Sequence, residues 1–220
     1  MSDHDHSLLG RLKRFIGFPA SGHHAGEQLV ATLGGVISIS LVLAVTRALL
    51  GPQAALIIVP SLGASAVLIF AAPHSPFAQP WAVLGGNLLS ALIGVSCWKL
   101  VPNPTLAAGL AVGLAIGIMH LARCLHPPGG ATALAAVIGG APVHELGYGY
   151  ALNPIAVNCL IILSVGIIFN YGFAWRRYPA SLMRYASAAP RKRSKWPQLT
   201  EQHLNAAMDH LNVVIDVDPK

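Results

Sequence analysis

The chain has 220 residues, of which 54% are hydrophobic and only 10% charged, against about 25% charged in soluble domains. Between residues 28 and 175 the only charged side chains are Arg47, Lys99, Arg123 and Glu145, a density that excludes a soluble fold of that length and makes a lipid bilayer the solvent. The net charge of +6 does not point to nucleic acid, because Arg and Lys gather at Arg11 to Arg14 and Arg176 to Lys195, as basic flanks held on the cytoplasmic side of an inner membrane do.

Residues 1–27 read as a cytoplasmic tail, with His4, His6, His23 and His24 and no continuous apolar stretch of the kind a signal peptide needs. Residues 28–175 form the membrane domain. Within it the runs 28–50, 81–101, 104–123 and 153–175 are long enough to cross about 30 Å of hydrocarbon. Two further apolar runs, 54–72 and 127–141, are interrupted by Pro60 and by Pro127-Pro128. A smooth helix through either would lose backbone hydrogen bonds that lipid cannot replace. Cys97, Cys124 and Cys159 stand singly in apolar runs without metal or redox spacing and read as small packing residues. Trp81, Trp98 and Trp175 fall at run ends, where interfacial tryptophans sit.

Residues 176–199 read as a basic juxtamembrane linker suited to anionic headgroups. Residues 200–220 read as a short soluble helix, with Thr200 as N-cap and Leu204, Ala207, Met208 and Leu211 on one face. That helix has nothing in the chain to pack on, which marks it as the start of a missing or partner domain.

The two interrupted runs resemble each other. Pro60 precedes Gly63-Ala64-Ser65-Ala66, and Pro127 precedes Gly130-Ala131-Thr132-Ala133, the same order at an offset of 67. Asn87 and Asn158 fall in the spans that follow. The expected fold is therefore an all-α membrane protein of six segments, arranged as two three-helix inverted repeats, with the second segment of each interrupted by Pro and Gly. The alternative is four spans plus two re-entrant segments. Both put the N and C termini on one side.

A half-helix that begins inside the membrane presents unpaired N–H groups and the positive end of the peptide dipole, which attract anions. On this reasoning the substrate site is expected at Ser61, Gly63, Ala64 and Ser65 together with His126, Pro127, Pro128, Gly129, Gly130, Ala131 and Thr132, with Asn87, His120, Arg123 and Asn158 along the pathway. Each has a structural reading beside it. The Gly and Ala residues suit close helix packing, His126 a hydrogen bond to a neighbouring helix, Arg123 a snorkelling anchor, and the asparagines a bridge between helices. No carboxylate lies between Glu27 and Glu145, whereas cation carriers need one to offset the ion's charge. A small inorganic anion, the bilayer and a further copy of the chain are the expected partners. No hydrolase, nucleotide-binding or metal motif is present, so neither an enzyme activity nor a cofactor is expected. The rival reading is a membrane scaffold or sensor coupled to a cytosolic regulatory partner.

The run His126-Pro127-Pro128-Gly129-Gly130-Ala131-Thr132-Ala133-Leu134, with Pro60-Ser61-Leu62-Gly63-Ala64-Ser65-Ala66 and Ala72-Pro73-His74-Ser75-Pro76-Phe77-Ala78-Gln79-Pro80 upstream, resembles the HPP family of integral membrane proteins over about residues 26 to 175. The family takes its name from the motif matched by His126, Pro127 and Pro128. The resemblance implies nitrite as the anion, by similarity to plastid and cyanobacterial members, and four spans, the number usually described for the family. Some bacterial members continue into paired CBS domains, and Gln198 to Lys220 resembles the lead-in to them.

Overall fold

The computed structural model describes residues 25–186, together with Leu12, Phe15 and Ile16. The chain divides into two units, Met1–Tyr185 and Ala186–Lys220, and the membrane helices belong to the first. The basic linker beyond residue 186 and the helix expected at 200–211 lie outside the described residues.

Among the described residues every regular element is helical, and none is a strand. Four helices are long and apolar enough to cross a membrane, at Ala25–Pro52, Pro80–Leu100, Pro104–Leu121 and Ala151–Tyr171; Val59–Ala71 and Pro128–Ile138 are apolar but shorter. In chain order the elements are α1 (Ala25–Ala71), a 3-10 turn at Pro76–Ala78, α2 (Pro80–Leu100), α3 (Pro104–Leu121), α4 (Pro128–Ile138), α5 (Ala141–His144), a wide π-turn at Ala151–Ala156 leading into α6 (Val157–Tyr171), a 3-10 turn at Ala174–Arg176, and α7 (Ala180–Ala186).

α1 is folded back on itself at Gly51, whose φ of 80° and ψ of 171° belong to a region that glycine alone enters without strain. The return is visible in its contacts. A Cβ placed on Gly34 would strike the Phe70 ring, and the Arg176 guanidinium reaches both the Glu27 carboxylate and the Phe70 carbonyl. The ends of α1 therefore meet. The break between the first two apolar runs thus falls at Gly51-Pro52, as their boundaries of 50 and 54 implied. Pro60, expected to open a half-helix, instead lies inside the returning limb. Residues 61–65 are consequently mid-helix, and their N–H groups belong to the helical ladder.

Small residues set how closely the helices approach, as they do where lipid offers no hydrophobic drive between helices. Gly86, Ser90 and Gly94 form one stripe of α2 against which α4 lies. A Cβ on Gly86 would fall 2.6 Å from His126 Cβ, and one on Gly129 would fall 2.7 Å from Ser90 Oγ; a Cβ on Gly94 would strike the Ala133 carbonyl. Ala107, Ala111, Ala115 and Met119 make the buried ridge of α3. Gly166 of α6 receives Ile69 of α1.

The two ends of the bundle are chemically distinct. At one, Trp81 Nε1 donates to the Ala122 carbonyl (3.1 Å) and Arg176 gathers α1 and α6. At the other, Trp98 stacks on His144 with ring centroids 4.1 Å apart, and Lys99 Nζ lies 5.3 Å from the Trp98 ring centre. Trp81 and Trp175 are more than half exposed, as interfacial anchors are.

A buried polar seam as the candidate functional site

α3 ends in a Schellman motif. Arg123 N–H donates to the His120 carbonyl (3.1 Å) and Cys124 N–H to the Met119 carbonyl (2.9 Å), which leaves Arg123 at φ 52°, the left-handed position that such caps usually give to glycine. The turn then runs inward and buries His126 completely. α4 starts at Pro128. Pro127 and Pro128 carry no N–H, Gly129 N–H donates to the His126 carbonyl (2.8 Å), and Gly130 N–H donates to the Pro127 carbonyl (3.1 Å). The first donors of α4 are therefore paired within the turn. Neither proline-marked segment offers the row of free N–H groups expected from the sequence, Pro60 because it is mid-helix and Pro127-Pro128 because the turn consumes its own donors.

What the fold concentrates instead is a seam of neutral polar side chains. His126 Nδ1 lies 2.7 Å from the Phe77 carbonyl and its Nε2 lies 2.8 Å from Ser65 Oγ. Thr132 Oγ1 donates to Asn87 Oδ1 (2.6 Å), while Asn87 Nδ2 donates to the Val83 carbonyl (2.9 Å). Tyr150 OH donates to the Thr132 carbonyl (3.3 Å). Asn158 Nδ2 donates to Thr46 Oγ1 (2.8 Å). These side chains are buried, and each pairing except that of Asn87 with Val83 joins residues far apart in the chain. An unpaired polar group in such surroundings would cost about 1–3 kcal/mol.

The expected site residues divide by orientation. Ser61, Ser65, His126, Pro128, Gly129, Thr132, Asn87 and Asn158 are buried in or beside the seam. Gly63 is half-buried and Ala64 exposed, on the outer side of the returning limb of α1. Pro127, Ala131, His120 and Arg123 are exposed, and a Cβ on Gly130 would meet only Val112, 3.8 Å away. The helical period explains the split: residues 61 and 65 lie one turn apart on the inner face, which turns 63 and 64 away from it. Thr46, Ser90 and Tyr150 are also buried, without having been singled out by the sequence. Ser90, a hydroxyl between Leu89 and Ala91, carried the available signal, whereas Thr46 beside Arg47 and Tyr150 after Glu145 and Tyr148 stood in more polar surroundings.

A second buried cluster closes the end where the limbs of α1 meet. Arg176 Nε donates to Asn170 Oδ1 (2.9 Å), Nη1 to Glu27 Oε1 (2.8 Å) and Nη2 to the Phe70 carbonyl, while Trp175 Nε1 donates to Glu27 Oε2 (2.9 Å). Burial pulls the Arg176 pKa down and Glu27 opposes the shift; an arginine starts high enough to stay charged. The sequence places Arg176 at the head of the basic linker. It is instead wholly buried, because its guanidinium fork matches three acceptors, the Glu27 carboxylate, the Asn170 amide oxygen and the Phe70 carbonyl near the end of α1. Nearby, Tyr178 OH donates to the Ala78 carbonyl (2.6 Å), and Gln79 Oε1 accepts from Ala180 N–H (2.9 Å). The segment after α6 thus straps the loop that carries Phe77.

Residues 20–179 match the family described as HPP, transmembrane region. Two transmembrane proteins of Dictyostelium discoideum are similar, one 42% identical over 54% of this chain and 39% of its own length, the other 39% identical over 56% of this chain and 44% of its own length. The chain thus aligns with less than half the length of either relative. No solved structure matches. The HPP match spans the whole of the bundle, from before α1 through Tyr178, and the chain is a multi-pass membrane protein that belongs to the HPP transmembrane-region family.

Proposed function

We propose that the protein carries a small monovalent anion across the membrane, with nitrite as the first candidate, along the seam formed by Ser65, His126, Thr132, Asn87, Asn158 and Thr46. The observation that carries this reading is the chemistry of the seam. Hydroxyls, amides and an imidazole are buried in the bundle interior, and no carboxylate is among them. Buried polar side chains in a membrane bundle are costly and mark solute paths. Hydroxyl and amide donors without a counter-carboxylate suit a weakly hydrated anion. Nitrite as the particular anion rests on resemblance alone.

The reading includes a topology. α1 leaves one face at Glu27, turns at Gly51 and returns to Phe70, and α2, α3, α4 and α6 then alternate in direction. That gives six crossings in two units of three with opposite orientation, α4 being short and extended by the turn at 122–127. The basic face, with Arg123, Arg176 and Arg177, is the cytoplasmic one, and both termini lie on it. Arg123 at that face draws anions toward the turn leading to His126.

The seam as seen is closed. Among the described residues no seam side chain is left without a partner, so a substrate enters only by exchanging hydrogen bonds with it. The same completeness favours a second reading, a scaffold whose polar pairs serve packing alone. Uptake of nitrite, nitrate, formate and chloride into proteoliposomes distinguishes the two: flux of at least one anion above protein-free vesicles supports transport, and no flux of any rejects it.

A further inference from the structure

The contact between Ser65 and His126 has two complete hydrogen-bonding solutions. A carbonyl only accepts, so with the Phe77 oxygen 2.7 Å from Nδ1 the ring proton resides on Nδ1. Nε2 then accepts the Ser65 hydroxyl at 2.8 Å, and the imidazole is neutral. The Ser65 oxygen also lies 3.3 Å from the Ser61 carbonyl. When a proton from water adds to the lone pair of Nε2, the new N–H donates to Ser65 Oγ, whose own hydrogen turns to the Ser61 carbonyl. The Nδ1 bond to Phe77 is unchanged. No group is left unpaired in either state, a property that requires a hydroxyl with a second acceptor, since a fixed donor could not reverse its role.

We propose that His126 Nε2 is a proton-binding site that takes up and releases one proton for each anion carried, so that the protein is an anion–proton symporter. The proposal rests on the transport reading and deepens it. The groups in contact with His126 are uncharged: the Ser65 hydroxyl from α1, the Phe77 carbonyl from the preceding turn, and α2 at Gly86, where an added Cβ would fall 2.6 Å from His126 Cβ; the charged side chain on its own turn is the exposed Arg123. Protonation therefore places a positive charge in a seam that otherwise has none, which strengthens anion binding there, and by linkage a bound anion strengthens proton binding to the same degree. Loading is a transfer from hydronium to Nε2, and unloading returns the proton to water on the other side, so one negative and one positive charge cross together. An anion moving alone into a negative-inside compartment is opposed by the membrane potential, and the accompanying proton removes that opposition. His126 also joins the two halves, with Ser65 on the first and itself on the second, so its protonation acts where they meet.

The test uses the full chain in proteoliposomes, with the membrane potential clamped at zero by potassium and valinomycin. Nitrate is the probe because its acid does not leak across lipid as a neutral molecule, and nitrite is run beside it. A pH dye in the lumen should report acidification that tracks anion entry, and an inward gradient of one pH unit should drive about tenfold accumulation. H126Q should lose both signals. S65A, which leaves a protonated Nε2 without its acceptor, should shift the pH dependence of uptake toward acid while H126Q abolishes it. Anion entry in the wild-type protein without acidification or pH-driven accumulation overturns the symport proposal and leaves transport standing. Absence of any wild-type flux overturns transport and symport together. The wild-type measurement decides even if a variant fails to insert.

Discussion

Replacing Arg176 with alanine removes a side chain that holds both ends of α1 and the end of α6. The guanidinium donates to Glu27, Asn170 Oδ1 and the Phe70 carbonyl, and Arg176 is 1% exposed while the Glu27 side chain is 27% exposed. Glu27 therefore recovers water when its partner is lost. The buried acceptors on Asn170 and Phe70 do not, and each costs about 1–3 kcal/mol when orphaned. With a moderated contribution from the ion pair, below the roughly 3–5 kcal/mol of a fully buried one, the loss comes to about 3–5 kcal/mol. For a chain of this size that lowers the melting temperature on the order of 10 °C. Cys97, Cys124 and Cys159 are all buried free thiols, so a thiol-reactive fluorogenic dye in detergent reports unfolding directly. R176K should fall between, keeping the charge opposite Glu27 but losing the fork. An R176A protein that melts within a degree or two of wild type would refute the assignment of Arg176 as the clamp.

Other substitutions test the packing and the seam. Gly86→Ala places a methyl 2.6 Å from His126 Cβ and 2.8 Å from the Cys124 carbonyl, an overpacking that costs about 1–3 kcal/mol, whereas Gly113→Ala meets nothing within 4 Å and should melt within about 0.5 kcal/mol of wild type; equal melting temperatures for the two would contradict the α2–α4 approach. Arg123→Gly relieves a left-handed φ of 52° and should stabilise by about 1 kcal/mol while slowing anion uptake at low salt, and an unchanged uptake rate would remove Arg123 from the entrance. Thr132→Val leaves Asn87 Oδ1 without its 2.6 Å donor and should cost about 1–2 kcal/mol; a neutral result would mean that water or another group serves Asn87.

The sequence made the membrane character and most helix boundaries legible, because lipid tolerates so few charges that the gaps between apolar runs stand out. The spans 81–101 and 104–123 correspond to α2 and α3, and the break between 50 and 54 is the Gly51 turn. The role of the prolines was not legible. Whether a proline starts a helix or bends one depends on neighbours that supply or consume the freed backbone groups, so Pro128 opens α4 while Pro60 lies inside α1. Among the expected site residues, the alternation of burial along 61–65 and 128–132 follows from helical period once the helix is placed, and Ser65 and Thr132, at matching places in the Gly-Ala-Ser-Ala and Gly-Ala-Thr-Ala runs, both turn inward. The partners of Ser65 and Thr132 differ, His126 for one and Asn87 for the other, which no local pattern encodes. Arg176 read as one more basic residue of a flank because its three acceptors include positions as far away as Glu27 and Phe70.

Anion uptake by the purified full chain in proteoliposomes tests the central claim most directly. The account predicts saturable entry of nitrite or another small monovalent anion above protein-free vesicles, lowered when His126 or Thr132 is replaced in a protein that still inserts and melts cooperatively. Vesicles holding correctly folded protein that admit no nitrite, nitrate, formate or chloride would contradict it.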